Sequence, residues 1–206
     1  MNRLEVLENP KTRHYFYKNK NEEDGPVFRP REDRQNTYKQ IVEELIKHFN
    51  INDSITITDV GGGIGYLKEI IPSKWKYTNI TLRKSEAEEN KKSGIKCVNA
   101  DILDLPLEEG EFNCVVSVLT LSYITDQIHG LFEMCRILKK NGILISGYNL
   151  IPDNKKEGHF NILNREGLNL FLKRFKCNIL HEFIIREDTG IEILITIAQK
   201  TEELLK

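Results

Sequence analysis

The stretch Ile55-Thr56-Ile57-Thr58-Asp59-Val60-Gly61-Gly62-Gly63-Ile64-Gly65 decides how this chain is read. Its first six residues are largely β-branched and few, the composition of a short strand. Glycine then takes four of five positions, and a helix is expected from there to about Ile71, stopped by Pro72. Glycines between a strand and a helix let the chain turn sharply and bring bare backbone within reach of a ligand. The helix start that follows offers unpaired N–H groups to an anionic group.

Outward from this turn, strand and helix signals alternate. Upstream, Tyr38, Ile41, Val42, Leu45, Ile46 and Phe49 recur at spacings of three and four, the stripe of an amphipathic helix. Downstream, Lys76 to Leu82 reads as a strand, Lys84 to Lys92 as a polar helix ending near Gly94, and Ile95 to Asn99 as a third strand. Phe112 to Leu119 is a fourth, and its unbroken Cys114-Val115-Val116 suits a strand covered on both faces. Thr125 is placed to cap a helix with the stripe Ile128, Leu131, Phe132, Cys135 and Leu138, stopped at Asn141-Gly142. Ile143 to Tyr148 is a fifth strand, and Asn164 opens a helix with Leu168, Phe171, Leu172 and Phe175 inward. Asn178 to Arg186 and Ile191 to Gln199 flank Glu187-Asp188-Thr189-Gly190, a hairpin signal. The expected fold is α/β: a seven-stranded, mostly parallel sheet with helices on both faces and a C-terminal antiparallel hairpin.

Bulk properties narrow the class. At 206 residues, with 39% hydrophobic and 30% charged residues, the chain suits one large soluble domain able to build its own core. Three parts are expected: a polar cap or lid over residues 1–33, the α/β domain over 34–200, and a tail over 201–206. The net charge of -1 argues against a polybasic surface. Residues 1 to 40 hold nine Lys/Arg against seven Asp/Glu, too balanced for a phosphate-binding arm. Cys97, Cys114, Cys135 and Cys177 are far apart and set among apolar residues, so buried free thiols are expected and no metal site. Without an apolar run long enough to span a bilayer, a cytoplasmic protein with no membrane partner is the expectation.

Spacing then separates the ligands. A dinucleotide turn of GxGxxG form needs glycine where Tyr66 stands, and a P-loop needs a Gly-Lys-Ser/Thr that is absent. What remains, Asp59-x-Gly61-x-Gly63-x-Gly65, resembles the first motif of class I S-adenosylmethionine-dependent methyltransferases. Asn99 to Leu107 and Glu111 to Ser117 resemble that family's third and fourth motifs. Arg136 to Leu144 is similar to its helix-to-strand junction before the fifth strand. The resemblance runs through residues 35 to 200 in order and spacing.

It implies S-adenosylmethionine as cofactor, with S-adenosylhomocysteine as product. Gly61, Gly62, Gly63 and Gly65 would approach the methionine part, and Asp59 would lie near its ammonium or hold the turn. Asp101 would accept from the adenine amino group with Ile102 against the ring. Ser117 and Leu119 would form the floor near the methyl group. The family also carries an acid at the end of the second strand, hydrogen-bonded to the ribose. Here that place falls to Thr81, with no acid before Glu86. A charged hydrogen bond contributes about 1.5–3 kcal/mol, so its loss would weaken binding roughly 10- to 150-fold. Asn113 likewise stands where the fourth motif commonly has an acid.

Methyl transfer from a sulfonium is an in-line displacement that needs alignment above all. A general base is required only when the acceptor arrives protonated. His159, in the loop after the fifth strand, and Tyr123 are the base candidates, with His129 and Tyr148 behind them. A small-molecule acceptor is favoured over protein or nucleic acid. A non-catalytic binding or scaffold protein of the same fold is the alternative, and a nicotinamide oxidoreductase is disfavoured by Tyr66 and the missing ribose acid.

Overall fold

The computed structural model describes residues 32–124, 126–149, 163–188, 190–202 and 204. Its centre is the strand Phe112–Val118 (β4), and the alternation of side chains along it organises both faces of the sheet. Val115 faces one apolar cluster, while Cys114 and Val116 face the other. All three are fully buried, which is why no polar alternation marks this strand in the sequence.

Around it the chain lays down α1 (Glu32–His48), β1 (Thr56–Val60), α2 (Leu67–Ile70), β2 (Lys76–Thr81), α3 (Lys84–Lys92) and β3 (Cys97–Asn99). After β4 come a 3-10 turn at Thr120–Tyr123, α4 (Gln127–Ile137), β5 (Leu138–Asn149), α5 (Arg165–Arg174), β6 (Cys177–Arg186) and β7 (Glu192–Lys200). The seven strands are ordered β3-β2-β1-β4-β5-β7-β6. Pairs from β3 through β5 are parallel, and β7 runs antiparallel to both β5 and β6. The order reverses between β1 and β4, so the carboxyl ends of these two strands flank the crevice where open α/β sheets bind ligands.

The two faces are covered by different helices. Tyr38, Ile41, Val42 and Leu45 of α1 pack with Leu67, Ile71 and Trp75 over Ile57, Cys114, Ile145 and Ile195. On the other face Leu131, Met134 and Cys135 of α4 join Leu168 and Leu172 of α5 over Val60, Val115 and Leu144. No described helix is long and apolar enough to cross a membrane.

Three local expectations change. Asp126 caps α4, its side chain accepting from the His129 N–H at 3.0 Å, and Thr125 lies outside the described residues. The helix ends at Ile137, because Leu138 is already extended (φ −77°, ψ 133°). Asn141, at φ 64°, is not the helix stop but the left-handed corner of a bulge, where β4–β5 pairing jumps from Phe112–Leu138 to Cys114–Ile143. Asn164 does cap α5 as its sequence suggests, accepting from Gly167 N at 2.8 Å.

Leu131 has no exposed surface and lies in the larger cluster, whereas Leu170 on α5 is 65% exposed. Leu131→Ala is expected to lower unfolding free energy by about 2–5 kcal/mol in urea titration, and Leu170→Ala by less than about 0.5 kcal/mol.

Candidate functional site

The glycine turn leaves β1 with its backbone in unusual conformations: Gly61, Gly63 and Gly65 have φ of 80°, 57° and 75°. Space is as restrictive as the dihedrals. A Cβ on Gly61 would lie 2.1 Å from Thr120 Oγ1, and one on Gly62 would lie 2.3 Å from Asn79 Oδ1 and 2.6 Å from Asp59 Oδ2. One on Gly65 would lie 2.6 Å from Asn90 Oδ1. Three neighbouring elements therefore press on the turn, and only glycine fits between them.

Side-chain amides and hydroxyls hold it in place. Asn79 Nδ2 and Asn90 Nδ2 both donate to the Gly63 carbonyl, at 2.7 and 2.8 Å. Ser117 Oγ and Thr120 Oγ1 both donate to the Val60 carbonyl, at 2.9 and 3.0 Å. The Gly61 N–H donates to the Ile80 carbonyl at 2.8 Å. The turn is thus tied to β2, α3 and the end of β4.

Beneath it lies a fully buried carboxylate. Neither Asp59 oxygen has a partner that meets hydrogen-bond geometry. Burial pushes its pKa up from 3.8 to about 7, a rise that the neighbouring Tyr38 phenol opposes. Burial, and then the charge of Asp59, raise Tyr38, Tyr77 and Cys114 well above their ordinary values.

A cavity opens over the turn at the carboxyl ends of β1, β2 and β4. Gly61 and Gly63 form its base, and Ile80, Leu82, Ala100 and Ile102 form an apolar wall. Leu119, Thr120, Tyr123 and Ile124 face it from the segment after β4, where Leu119 sits at φ 62°. Its charged groups are Arg34, Arg83 and Glu86. Glu86 is the feature that strand-based reading misses. It belongs to the first turn of α3, is 4% exposed, and folds back to the end of β2, where Thr81 Oγ1 donates to its Oε2 at 2.6 Å. Arg83 Nη1 lies 3.8 Å from its other oxygen.

Of the residues expected from sequence, Gly61, Gly63, Thr81, Ile102, Leu119 and Tyr123 line this cavity. Gly62 and Gly65 pack away from it, against Asp59 and Asn90. Ser117 turns its hydroxyl to the Val60 carbonyl. Asp101 Oδ1 accepts from Leu103 N at 2.8 Å, a local turn that leaves Ala100 and Ile102 on the wall. Asn113 is remote, at the start of β4, where its Oδ1 accepts from Thr56 N and Oγ1. His129 is exposed and Tyr148 is buried, donating to Gln127 Oε1 at 3.2 Å, so neither reaches the cavity. His159 lies outside the described residues. Thr120, Asn79, Asn90, Arg34 and Glu86 are the additions. Only the spacing of Glu86 from the strand end could have suggested one of them.

A parallel sheet with an antiparallel seventh strand and a glycine turn after β1 is the Rossmann-like fold found in class I S-adenosylmethionine-dependent methyltransferases. Residues 58–146 match the methyltransferase-domain family model. No curated protein sequence matches significantly. Magnesium protoporphyrin IX methyltransferase from Synechocystis PCC 6803, with S-adenosylmethionine bound, is similar at TM-score 0.68 and 12% identity, over 82% of this chain and 80% of that one. The 1,6-didemethyltoxoflavin-N1-methyltransferase of Burkholderia thailandensis, with S-adenosylhomocysteine bound, gives TM-score 0.64 and 14% identity over 82% and 78%. The [4+2]-cyclase SpnF gives 0.66 and 14% over 79% and 81%.

The residues present fit S-adenosylmethionine, the ligand bound in the first of these structures. The cavity rests on the bare backbone of Gly61 and Gly63, its wall is apolar where a flat ring would lie, and the buried Glu86 carboxylate stands at the end of β2. Asp59 supplies a pH test. Its pKa is raised in the folded state, so the folded protein binds the extra proton, and stability falls as pH rises from about 4 to about 7. In Asp59→Asn that decline is expected to shrink by up to about 4 kcal/mol, read from urea midpoints at pH 4, 6 and 8. An unchanged slope would show that Asp59 ionises normally.

Proposed function

We propose that the protein transfers a methyl group from S-adenosylmethionine to a small molecule. The observation that carries this reading is the cavity over the Gly61–Gly65 turn, with an apolar wall on one side and the Glu86 carboxylate at the end of β2. In this assignment Gly61 and Gly63 give the methionine part close backbone approach, and Gly62 and Gly65 keep the turn compact. Asp59, buried under the turn and outside the cavity lining, packs against Gly62 and acts on an ammonium group only through space. Ala100 and Ile102 take the adenine ring, with Asp101 beside them, and Leu119 borders the reacting end while Ser117 fixes the Val60 carbonyl beneath it.

Glu86, backed by Thr81, serves in place of a strand-borne acid and accepts from the ribose hydroxyls. Two carboxylate oxygens can accept from two neighbouring hydroxyls, which a lone threonine cannot do. The cofactor supplies an activated methyl group, so the protein's task is to align it and to keep water out. We assign Tyr123 and His159 as groups that take up a proton when the acceptor carries one. Residues 34–200 form the catalytic unit in this reading, and residues 1–33 its cap.

A small-molecule acceptor is supported by the two similar methyltransferases, which are named for porphyrin and toxoflavin substrates. A second reading, in which the fold serves something other than methyl transfer, is favoured by the similarity to a cyclase and by the missing strand acid. Calorimetry separates the two. The methyltransferase reading expects binding of both S-adenosylmethionine and S-adenosylhomocysteine, and a loss of roughly 10- to 150-fold in Glu86→Gln. Absence of binding heat with either ligand in the unmutated protein would remove the enzyme reading.

A further inference from the structure

Far from the cavity, two thiols meet in the core. Cys177 Sγ and Cys135 Sγ lie 3.5 Å apart, in hydrogen-bond contact across 42 residues of sequence. Cys135 lies on α4 with no exposed surface, and Cys177 is the first residue of β6, at 1%. β6 is the edge strand of the sheet, and the preceding residue, Lys176, makes the left-handed corner that leads into it.

A buried cation completes the cluster. Lys200 is paired with Cys177 across the β6–β7 ladder and is itself fully buried. Its ammonium donates to the carbonyls of Leu138 and Arg136 at the carboxyl end of α4, at 2.7 and 3.3 Å, and lies 3.6 Å from Glu109. Hydrogen bonding to Cys135 pulls the Cys177 thiol below its ordinary range, and the Lys200 charge adds to this against the opposing effect of burial. The same contact, together with burial, pushes Cys135 up. Burial also raises Cys97, to about 11, and Cys114. Cys177 is therefore the one cysteine of the four moved toward the thiolate, the form that reacts with oxidants.

We propose that Cys135 and Cys177 form a dithiol site that hydrogen peroxide converts to a disulfide, covalently joining α4 to the edge strand β6. The Cys177 thiolate attacks one peroxide oxygen and the O–O bond breaks. This gives a sulfenic acid at Cys177 and, after protonation of the leaving oxygen, water. The Cys135 sulfur then attacks the sulfenic sulfur, the S–O bond breaks, and hydroxide leaves with the Cys135 proton as a second water. Two thiols lose two electrons, and one peroxide gains them. Closing 3.5 Å to a bonded S–S distance needs an approach of about 1.5 Å. Cys177 is 1% exposed, so the oxidant reaches it through local opening at the start of the edge strand β6.

The test treats the folded full-length protein with hydrogen peroxide, alkylates remaining thiols in denaturant, and maps peptides by mass. The expected product is a Cys135–Cys177 linked peptide lighter by two hydrogens and reversed by dithiothreitol, with Cys97 and Cys114 alkylated. Its thermal midpoint is expected to rise by at least about 5 °C, because the link closes a long loop of the unfolded chain. Cys135→Ser, which keeps a hydrogen-bond donor beside Cys177 but cannot resolve the oxidised sulfur, should leave a sulfenic acid at Cys177 that dimedone traps, and Cys177→Ala should give neither link nor adduct at Cys135. Alkylation of all four cysteines after peroxide, a link involving Cys97 or Cys114, or a link that forms only in denaturant would each overturn the proposal.

Discussion

The structure depends on a steric constraint at one turn: three elements converge on backbone that has no room for a side chain. Thr120 presses on Gly61, Asp59 and Asn79 on Gly62, and Asn90 on Gly65, each at a distance that no real Cβ tolerates. The same neighbours supply the bonds that hold the turn. Asn79 and Asn90 bind the Gly63 carbonyl, and Thr120 binds the carbonyl of Val60. Close packing and hydrogen bonding are thus a single arrangement, and the cavity is what lies over it.

This arrangement carries an electrostatic cost in Asp59. A buried carboxylate with no bonded donor is destabilising when charged, and its raised pKa expresses that cost. Glu86 is the contrasting case. It is equally buried, but Thr81 and Arg83 sit beside it, so its charge has company before any ligand arrives.

The fold was legible in the sequence because each strand had local marks. Cys114-Val115-Val116 announced a strand covered on both faces, and Glu187-Asp188-Thr189-Gly190 announced the hairpin between β6 and β7. Asn141 misled because a left-handed residue ends helices and makes bulges with equal ease, and only the β4–β5 register tells them apart. The site was legible to the extent that backbone makes it: the glycine turn, Ile102, Leu119 and Tyr123 all border the cavity. Glu86 was not, since its contact with Thr81 depends on how α3 folds back over the end of β2. Arg34 was not either, for it reaches the cavity from α1, where Glu187 of the distant hairpin holds its guanidinium with a bond of 3.0 Å.

These observations converge on one claim, that the ground above Gly61 and Gly63 is where an adenosyl ligand rests. A crystal structure grown with excess S-adenosylhomocysteine tests this most directly. The account predicts density along Gly61 and Gly63 with the ribose hydroxyls within hydrogen-bond distance of Glu86. A ligand seated elsewhere, or a crevice closed by Thr120 and Tyr123 with no ligand in it, would contradict the account.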